Sequence, residues 1–439
     1  MTEANLRNKT ISGLIWRFLE RCGAQGVNFI VQIVLARLIA PELYGTIALV
    51  TVFTAILQIF VDSGMGNALI QKKDADDLDF SSVFYFNMVV CGVLYLGMYI
   101  ASPYIASFYN DDELVAVIRV MSLVLVIAGV KNIQQAYVSK TMQFKRFFFA
   151  TIGGTIVAAV VGIWMAYAGY GVWALVAQNL TNKIIDTIVL WLTVKWRPKL
   201  MFSFNRLKGL VSYGWKLLVS ALLETVYNNV RQLIMGKLDT TAELGYYNRG
   251  KQLPFTIIGN INTSIDSVLF PALSSQQDAL ERVKSMTRRA IKISSYIMWP
   301  IMIGFVFTAE PIVELLLTHK WAGCIPYLRI FCITYVFYPI HTANLNAIKA
   351  VGRSDVFLKL EIIKKVIGII VVICTMWFGP LVMAYSLLFT SLVNQIVNSW
   401  PNKKLLNASF KMAWLIPVLL FPVFGTLFYV FVQLQRKTL

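Results

Sequence analysis

The chain has 439 residues, of which 57% are hydrophobic and 14% are charged, and its formal net charge is +18 at pH 7 with neutral histidines. This small fraction of charged residues is too low to provide the polar surface of several water-soluble domains. The composition therefore excludes a soluble multidomain protein and predicts an integral membrane protein. The basic excess fits either a nucleic-acid-binding protein or a membrane protein with basic loops, and the positions of the lysines and arginines distinguish these two classes.

Long apolar stretches follow one another along the whole chain. A helix needs about 20 apolar residues to cross the hydrocarbon core of a bilayer. By that measure we predict spans at 11–38, 43–70, 81–105, 113–138, 147–168, 171–194, 208–237, 244–270, 288–317, 323–348, 356–378, 380–400 and 412–434. The first twelve form two sets of six, and the thirteenth, which contains Pro417 and Pro422, lies outside them.

The first half of the chain resembles the second half at a fixed offset. Gly13, Asn28, Ile33, Glu42 and Leu43 each match an identical residue 201 positions later, and no gap is needed between them. Duplicated membrane segments are typical of transporters.

This duplication predicts an all-α integral membrane protein with two pseudo-symmetric six-helix lobes around a central cavity and an additional C-terminal hydrophobic helix. The expected division is an N-lobe at 1–195, a cytoplasmic inter-lobe linker at 196–207, a C-lobe at 208–400 and an extra helix at 401–439.

Lysines and arginines cluster in alternate loops. They lie before span 1, after spans 2, 4, 8 and 10 and between the two halves, whereas the loops at 107–112 and 166–171 contain neither residue type. By the positive-inside rule, this pattern predicts a cytoplasmic amino terminus and a cytoplasmic linker. Topology and affinity for anionic lipids thus explain the net charge, and no nucleic-acid partner is predicted.

The predicted loops are too short to contain a catalytic or nucleotide-binding domain. No Walker A motif occurs, and the five cysteines include no Cys-x-x-Cys pair. The sequence therefore predicts a protein that is not an enzyme and has no cofactor and no metal site. The acidic run at 111–113 is interpreted as part of a helix amino terminus capped by Asn110, in preference to a metal site.

Two predicted spans carry a polar stripe along one helical face. The stripe of span 1 comprises Arg17, Arg21, Gln25, Asn28 and Gln32, and that of span 7 comprises Lys216, Ser220, Glu224, Asn228 and Arg231. A charge at the bilayer centre costs roughly 2.5–3.5 kcal/mol on insertion scales, so both stripes should face protein or water. We interpret them as opposite walls of a cationic central cleft, which indicates an anionic substrate.

Several cations are candidates for substrate contact. The predicted substrate-binding residues are Arg17, Arg21, Lys216, Arg231 and Arg249, with Arg119 and Lys183 as further candidates. As an alternative, the first three extend to lipid headgroups. Arg231 could instead form a structural ion pair with Glu224, which lies on the same helical face.

Three acids are candidates for ion coupling: Asp62, Glu224 and Asp266. A carboxylate inside the membrane can carry a coupling proton or sodium ion. The alternative is that these acids form hydrogen bonds across helices to Asn67, Asn260 or Asn262. His341 is interpreted as an interhelical hydrogen-bond partner and not as a proton relay.

Four short segments carry a family resemblance: residues 40–45 (APELYG), 62–71 (DSGMGNALIQ), 245–247 (GYY) and 269–274 (LFPALS). They resemble segments of the polysaccharide-transport flippases, which are Wzx-type proteins of the multidrug/oligosaccharidyl-lipid/polysaccharide superfamily. The resemblance extends over roughly residues 8–400.

The resemblance implies alternating access and movement of undecaprenyl-pyrophosphate-linked oligosaccharides across the bacterial inner membrane, for lipopolysaccharide, capsule or exopolysaccharide biosynthesis. It implies membrane lipids as partners, H+ or Na+ as candidate coupling ions and a polysaccharide polymerase as a candidate partner. One alternative is an ion-coupled multidrug antiporter of the same superfamily, whose cavity should be acidic. Another is a membrane glycosyltransferase or polymerase, which would need a sizeable outer loop.

Overall fold

The computed structural model describes residues 3–62, 65–72, 74–141 and 143–405, and within them every long element is a helix. The first eight helices are α1 (Glu3–Leu38), α2 (Pro41–Asp62), α3 (Met65–Gln71), α4 (Asp77–Tyr109), α5 (Glu113–Met121), α6 (Leu123–Lys140), α7 (Lys145–Tyr167) and α8 (Val172–Thr193). The next eight are α9 (Phe204–Leu238), α10 (Thr241–Ser274), α11 (Leu280–Phe307), α12 (Ala309–Leu317), α13 (Cys324–Tyr335), α14 (Tyr338–Ala350), α15 (Ser354–Thr375) and α16 (Pro380–Leu405).

The first twelve predicted spans coincide with described helices, and four of them consist of two consecutive helices. The spans predicted at 43–70, 113–138, 288–317 and 323–348 correspond to α2 with α3, α5 with α6, α11 with α12, and α13 with α14. Hydropathy does not detect these breaks because the apolar pattern continues across them. The predicted span at 412–434 lies outside the described residues.

Six helical segments are long and apolar enough to cross a membrane within the described part of the chain. They are Pro41–Asp62, Asp77–Tyr109, Glu113–Lys140, Lys145–Tyr167, Leu280–Phe307 and Pro380–Asn402. The prediction of an all-α membrane protein is therefore confirmed.

The chain divides into two compact units, Met1–Ala242 and Glu243–Leu439. In the first unit, α7 packs against α1 and α8, and α9 packs against α2, α3 and α4. In the second unit, α11 packs against α13 and α14, and α16 packs against α13, α14 and α15. The predicted lobe boundary at 196–207 stays a prediction.

The predicted helix cap at Asn110 is wrong. Asn110 ends α4 in a left-handed conformation, with φ 56° and ψ 41°, and its N–H donates to the carbonyls of Ala106 and Ser107. Asparagine tolerates this conformation better than most residues, which suits it to a helix carboxyl terminus. At the start of α5, the Asp111 carboxylate accepts a hydrogen bond from the Glu113 N–H at 3.1 Å.

A polar network joins the start of α4 to the segment between α8 and α9 and to the first turn of α9. Asp76 caps α4 by accepting the Asp79 N–H at 3.0 Å, and Arg206 donates to the same carboxylate at 2.7 Å. The Trp196 indole donates to Asp77 at 3.0 Å. The Asp79 N–H and then Arg206 lower the pKa of the Asp76 carboxyl, so it remains ionised at neutral pH and keeps both partners.

Small residues allow α7 and α8 to approach closely. A Cβ at Gly154 of α7 would lie 2.9 Å from the carbonyl oxygen of Asn182 and 3.2 Å from the backbone nitrogen of Asp186. A Cβ at Gly162 would lie 2.9 Å from the Cβ of Gln178. Such contacts are typical of helix interfaces in membranes, where they fix the spacing between helix backbones.

We expect Gly154→Ala to destabilise the protein by about 1–3 kcal/mol, because the added methyl group overlaps the backbone of α8. Gly153→Ala is the matched control, since a Cβ at this adjacent position would have nothing within 4 Å. Thermal unfolding of both purified variants in one detergent measures the difference. Equal midpoints would contradict a close contact at Gly154.

Candidate functional site

The structure divides the five predicted substrate-binding residues into three groups. The side chains of Arg17 and Lys216 lie outside the described residues. Arg21 is exposed on α1. Arg231 on α9 and Arg249 on α10 are both buried, with 7% and 4% of their surfaces exposed. Since burial of a cation is costly, the partners of these two arginines determine what each can do.

Arg231 is a buried cation, and two nitrogens of its guanidinium have no partner among the residues that the structure describes. Its Nε and Nη2 atoms are buried and have no hydrogen-bond partner within the described residues. The helix that carries it packs against α2, α3 and α4 in the first unit. A guanidinium in this state needs acceptors, because a buried donor without a partner loses the hydration it had in water. Arg231 is therefore suited to an anionic ligand.

The alternative for Arg231, an ion pair with Glu224, is wrong. Glu224 is exposed, and its Oε1 accepts a hydrogen bond from Asn228 Nδ2 at 3.1 Å. Arg231 makes no ion pair in the part of the chain that the structure describes. The two residues share a face of α9, but seven residues of helix separate their backbones by about 10 Å.

Arg249 and Arg119 both contact groups within their own units. The Arg249 guanidinium lies 5.5 Å from the centre of the Trp321 ring, and its Nη1 donates to Gln252 at 3.2 Å. Arg119 donates to Ser102 at 3.0 Å. These contacts stabilise buried guanidinium groups without a ligand. Of Arg119, Arg231 and Arg249, Arg231 is thus the one most suited to bind an anion.

The predicted coupling acids are exposed and have amide partners. Asp62 accepts a hydrogen bond from Gln58 on its own helix at 3.0 Å. Asp266 accepts one from Asn346 of α14 at 2.7 Å, which is an interhelical bond to an asparagine other than the three predicted ones. Glu224 is bonded to Asn228, as described above.

His341 of α14 contacts two polar side chains of α16. Its Nε2 lies 3.4 Å from the Ser391 hydroxyl, and its Nδ1 lies 3.4 Å from Asn398 Nδ2. The interhelical interpretation of this histidine is therefore confirmed.

A cavity of ≈ 350 Å³ lies inside the first unit; we call it the first-unit cavity. Three helices contribute polar side chains to it: Thr51, Thr54, Gln58 and Asp62 from α2, Lys131 and Gln135 from α6, and Asn179 and Lys183 from α8. Within each helix the spacing of three or four residues places these side chains on one face. Met121, Val124 and Ile127 supply an apolar side.

Sequence analysis did not identify the ion pair that joins two walls of this cavity. Lys131 of α6 contacts Asp186 of α8, and their side chains are 11% and 9% exposed. The available signal was a lysine within one apolar span and an aspartate within another, because opposite charges inside the membrane usually pair with one another. The pair holds α6 and α8 together beside the cavity.

Lys183 also lines the cavity, one helical turn before Asp186. It is half-buried, and its ammonium group makes no hydrogen bond or ion pair with any described residue. Asp62 faces the same space from α2. The cavity therefore presents one ammonium group and one carboxylate that attract each other but do not form an ion pair at contact distance.

We expect Lys131→Met and Asp186→Leu each to destabilise the protein by roughly 3–5 kcal/mol, because each leaves one buried charge without its partner. The double variant should recover most of this loss. Thermal unfolding and the yield of monodisperse protein measure all three variants. Additive losses in the double variant would show that the two charges do not stabilise each other.

Comparison with known sequences identifies the family of this chain. A family model described as "Polysaccharide biosynthesis protein" matches residues 34–326, which is more than half of the chain. A shorter match, to "Phospholipase_D-nuclease N-terminal", covers residues 387–433.

Two bacterial relatives illustrate the sequence similarity. The teichuronic acid biosynthesis protein TuaB of Bacillus subtilis (strain 168) is 24% identical over 307 residues, which cover 69% of this chain and 63% of the relative. The chain thus spans less than two thirds of that protein's length. The lipopolysaccharide biosynthesis protein WzxC of Escherichia coli (strain K12) is 23% identical over 402 residues, which cover 90% of this chain and 81% of the relative.

Two solved structures share the fold. The lipid II flippase MurJ in an inward closed conformation matches with a TM-score of 0.73 and 14% identity, covering 96% of this chain and 99% of that one. An inward-facing multidrug resistance MATE family transporter of the MOP superfamily matches with a TM-score of 0.67 and 16% identity, covering 87% and 95%. The sequence match and the fold together confirm the resemblance: the chain belongs to the polysaccharide biosynthesis protein family of membrane proteins.

Proposed function

We propose that this protein is a flippase that moves polyprenyl-pyrophosphate-linked oligosaccharide repeat units across the bacterial inner membrane by alternating access. The process served would be the biosynthesis of lipopolysaccharide, capsule or exopolysaccharide. The observation that carries the proposal is Arg231, a buried arginine whose guanidinium has unused donors. A pyrophosphate supplies the negative charge and the multiple acceptor oxygens that such a group needs.

The relatives and the fold support a transported substrate over a chemical reaction. WzxC is named for lipopolysaccharide biosynthesis, and MurJ is named as a flippase of lipid II, a lipid-linked molecule. Described loops such as 110–112 and 168–171 are short. A membrane glycosyltransferase would need a larger loop to bind its sugar donor. We infer that the protein is not an enzyme.

A multidrug antiporter of the same superfamily is the second candidate, favoured by the structural match to a MATE family transporter. A cavity that attracts cationic drugs should carry an excess of acids. The first-unit cavity has no such excess, because its two lysines are balanced by Asp62 and by Asp186, the partner of Lys131. This charge balance does not support a cationic drug as the substrate.

Asp62, Glu224 and Asp266 are the proposed coupling groups, with H+ or Na+ as the ion. Their exposure supports this role, because an ion must reach the carboxylate and leave it again. Asp62 is the most favourable of them, since it lines the first-unit cavity. A polysaccharide polymerase is a proposed partner, because a translocated repeat unit is a substrate for chain extension.

Transport by Arg231 variants tests the proposal. In proteoliposomes with a labelled polyprenyl-pyrophosphate-linked sugar, the wild type should move the label between leaflets without changing its mass. Arg231→Ala should slow this movement about tenfold or more, because a charged hydrogen-bonding partner of the pyrophosphate is lost. Arg231→Lys should recover part of the rate, since lysine keeps the charge without the fork geometry.

Arg289→Ala removes an exposed arginine of α11 and should leave the rate unchanged. A wild-type rate in Arg231→Ala would exclude Arg231 from the site. A change in the mass of the labelled lipid would indicate an enzyme, and transport of a cationic dye in place of the lipid would favour the antiporter.

Membrane orientation can be tested with single cysteines placed at exposed positions. Ser107→Cys and Ala168→Cys should react with an impermeant thiol reagent from outside intact cells. Lys145→Cys and Lys208→Cys should react after the cells are opened, because their loops are basic and the positive-inside rule assigns them to the cytoplasm. Reversed labelling at two or more of the four sites would contradict the proposed topology.

A further inference from the structure

We propose that the first-unit cavity binds one acidic sugar residue of the transported glycan and that Lys183 receives the carboxylate of that sugar. This inference rests on the proposed flippase function and adds a residue that determines glycan specificity. It differs from the proposed pyrophosphate contact, which concerns Arg231.

The size and lining of the cavity suit a single sugar ring. Its volume of ≈ 350 Å³ lies within the range of about 300–1,000 Å³ that is typical of small-molecule sites. One side is polar, and Met121, Val124 and Ile127 form an apolar side. A pyranose has the same division, because its C–H groups form an apolar face and its hydroxyls project from the edge.

A donor without an acceptor indicates an acidic sugar. The two lysines of the cavity differ, since Lys131 is ion-paired with Asp186, whereas the Lys183 ammonium has no ion pair or hydrogen bond with a described residue and is attracted by Asp62 and Asp186 only at longer range. A neutral sugar would offer this ammonium only hydroxyl acceptors, which bind a charged donor more weakly than a carboxylate does. A carboxylate on the sugar supplies both the charge and the acceptor that Lys183 needs.

The remaining polar groups suit hydroxyls. Asp62 uses one carboxylate oxygen to accept the Gln58 amide at 3.0 Å, which leaves its other oxygen to accept from a hydroxyl. Asn179 donates to the Leu175 carbonyl at 2.9 Å and keeps its side-chain oxygen as an acceptor. Acceptors for hydroxyls and one ammonium for a carboxylate are together the partners that a uronic acid requires.

Binding of two matched sugars tests the inference without a transport assay. The full-length protein in lipid nanodiscs is titrated with methyl β-glucuronide and with methyl β-glucoside, which differ in the carboxylate, and ligand-observed NMR measures both affinities. We expect the wild type to bind the glucuronide at least tenfold more tightly, since a hydrogen bond to a charged group is replaced by one to a hydroxyl.

Lys183→Gln should weaken glucuronide binding about tenfold and change glucoside binding less than about twofold. Lys183→Arg keeps the charge and should stay within about threefold of the wild type. Lys195→Gln is the matched control, because it removes an exposed lysine just beyond α8 and should change neither affinity. If Lys183→Gln fails to fold, the wild-type preference and Lys183→Arg still decide the question.

Equal affinity of the wild type for both sugars would overturn the inference, and so would an absence of saturable glucuronide binding. An equal decrease in the affinities for both sugars in Lys183→Gln would also overturn it. The result is separable from the flippase test. Lys183-independent sugar binding by a protein that moves lipid-linked sugar would reject the subsite alone. Lys183-dependent glucuronide binding by a protein that moves no lipid-linked sugar would reject the flippase and keep the sugar site.

Discussion

Charges inside an apolar helical bundle need partners, and the functional groups of this protein follow from that constraint. A charge removed from water is strongly destabilising unless an opposite charge or several hydrogen bonds replace its hydration. Lys131 meets the requirement through Asp186, and Arg249 meets it in part through Gln252. The side chains of Arg231 and Lys183 have no ion pair or hydrogen bond within the described residues, although Asp62 and Asp186 attract Lys183 at longer range. These two cations are therefore the residues whose chemistry a ligand would complete.

Backbone packing determines which of the α8 charges is paired and which faces the cavity. Gly154 brings α7 against the backbone of α8 at Asp186, and the Lys131–Asp186 pair attaches the same turn of α8 to α6. With α8 fixed from two sides, Lys183 lies one turn away along the cavity wall. The close packing at Gly154 thus helps to position the Lys183 ammonium group, which can bind a ligand.

The sequence predicted the helical spans because apolar length is a local property, and local patterns need no knowledge of neighbouring helices. It did not predict the Lys131–Asp186 pair, since 55 residues separate these side chains and their contact depends on how α6 meets α8. The prediction that Asn110 caps the start of α5 was wrong for a related reason, because asparagine suits either end of a helix. Here α4 extends to Tyr109, so Asn110 ends α4 instead of starting the next helix. The stripe on α9 located Arg231 correctly on a polar face but assigned it a partner, Glu224, from spacing alone.

The two proposed ligand contacts differ in what they can recognise. A polyprenyl pyrophosphate would be common to many lipid-linked glycans, so an arginine that binds it contributes affinity for all of them and distinguishes none. Specificity is a difference between affinities and must come from groups that vary among the competing substrates. A lysine that faces a sugar-sized cavity meets this requirement, because a carboxylate on the sugar decides whether its ammonium gains a charged acceptor. On these two proposals the residues perform separate tasks: the forked guanidinium of Arg231 binds the shared pyrophosphate, and the ammonium of Lys183 binds the variable sugar. A substitution at one residue should therefore leave the selectivity of the other intact.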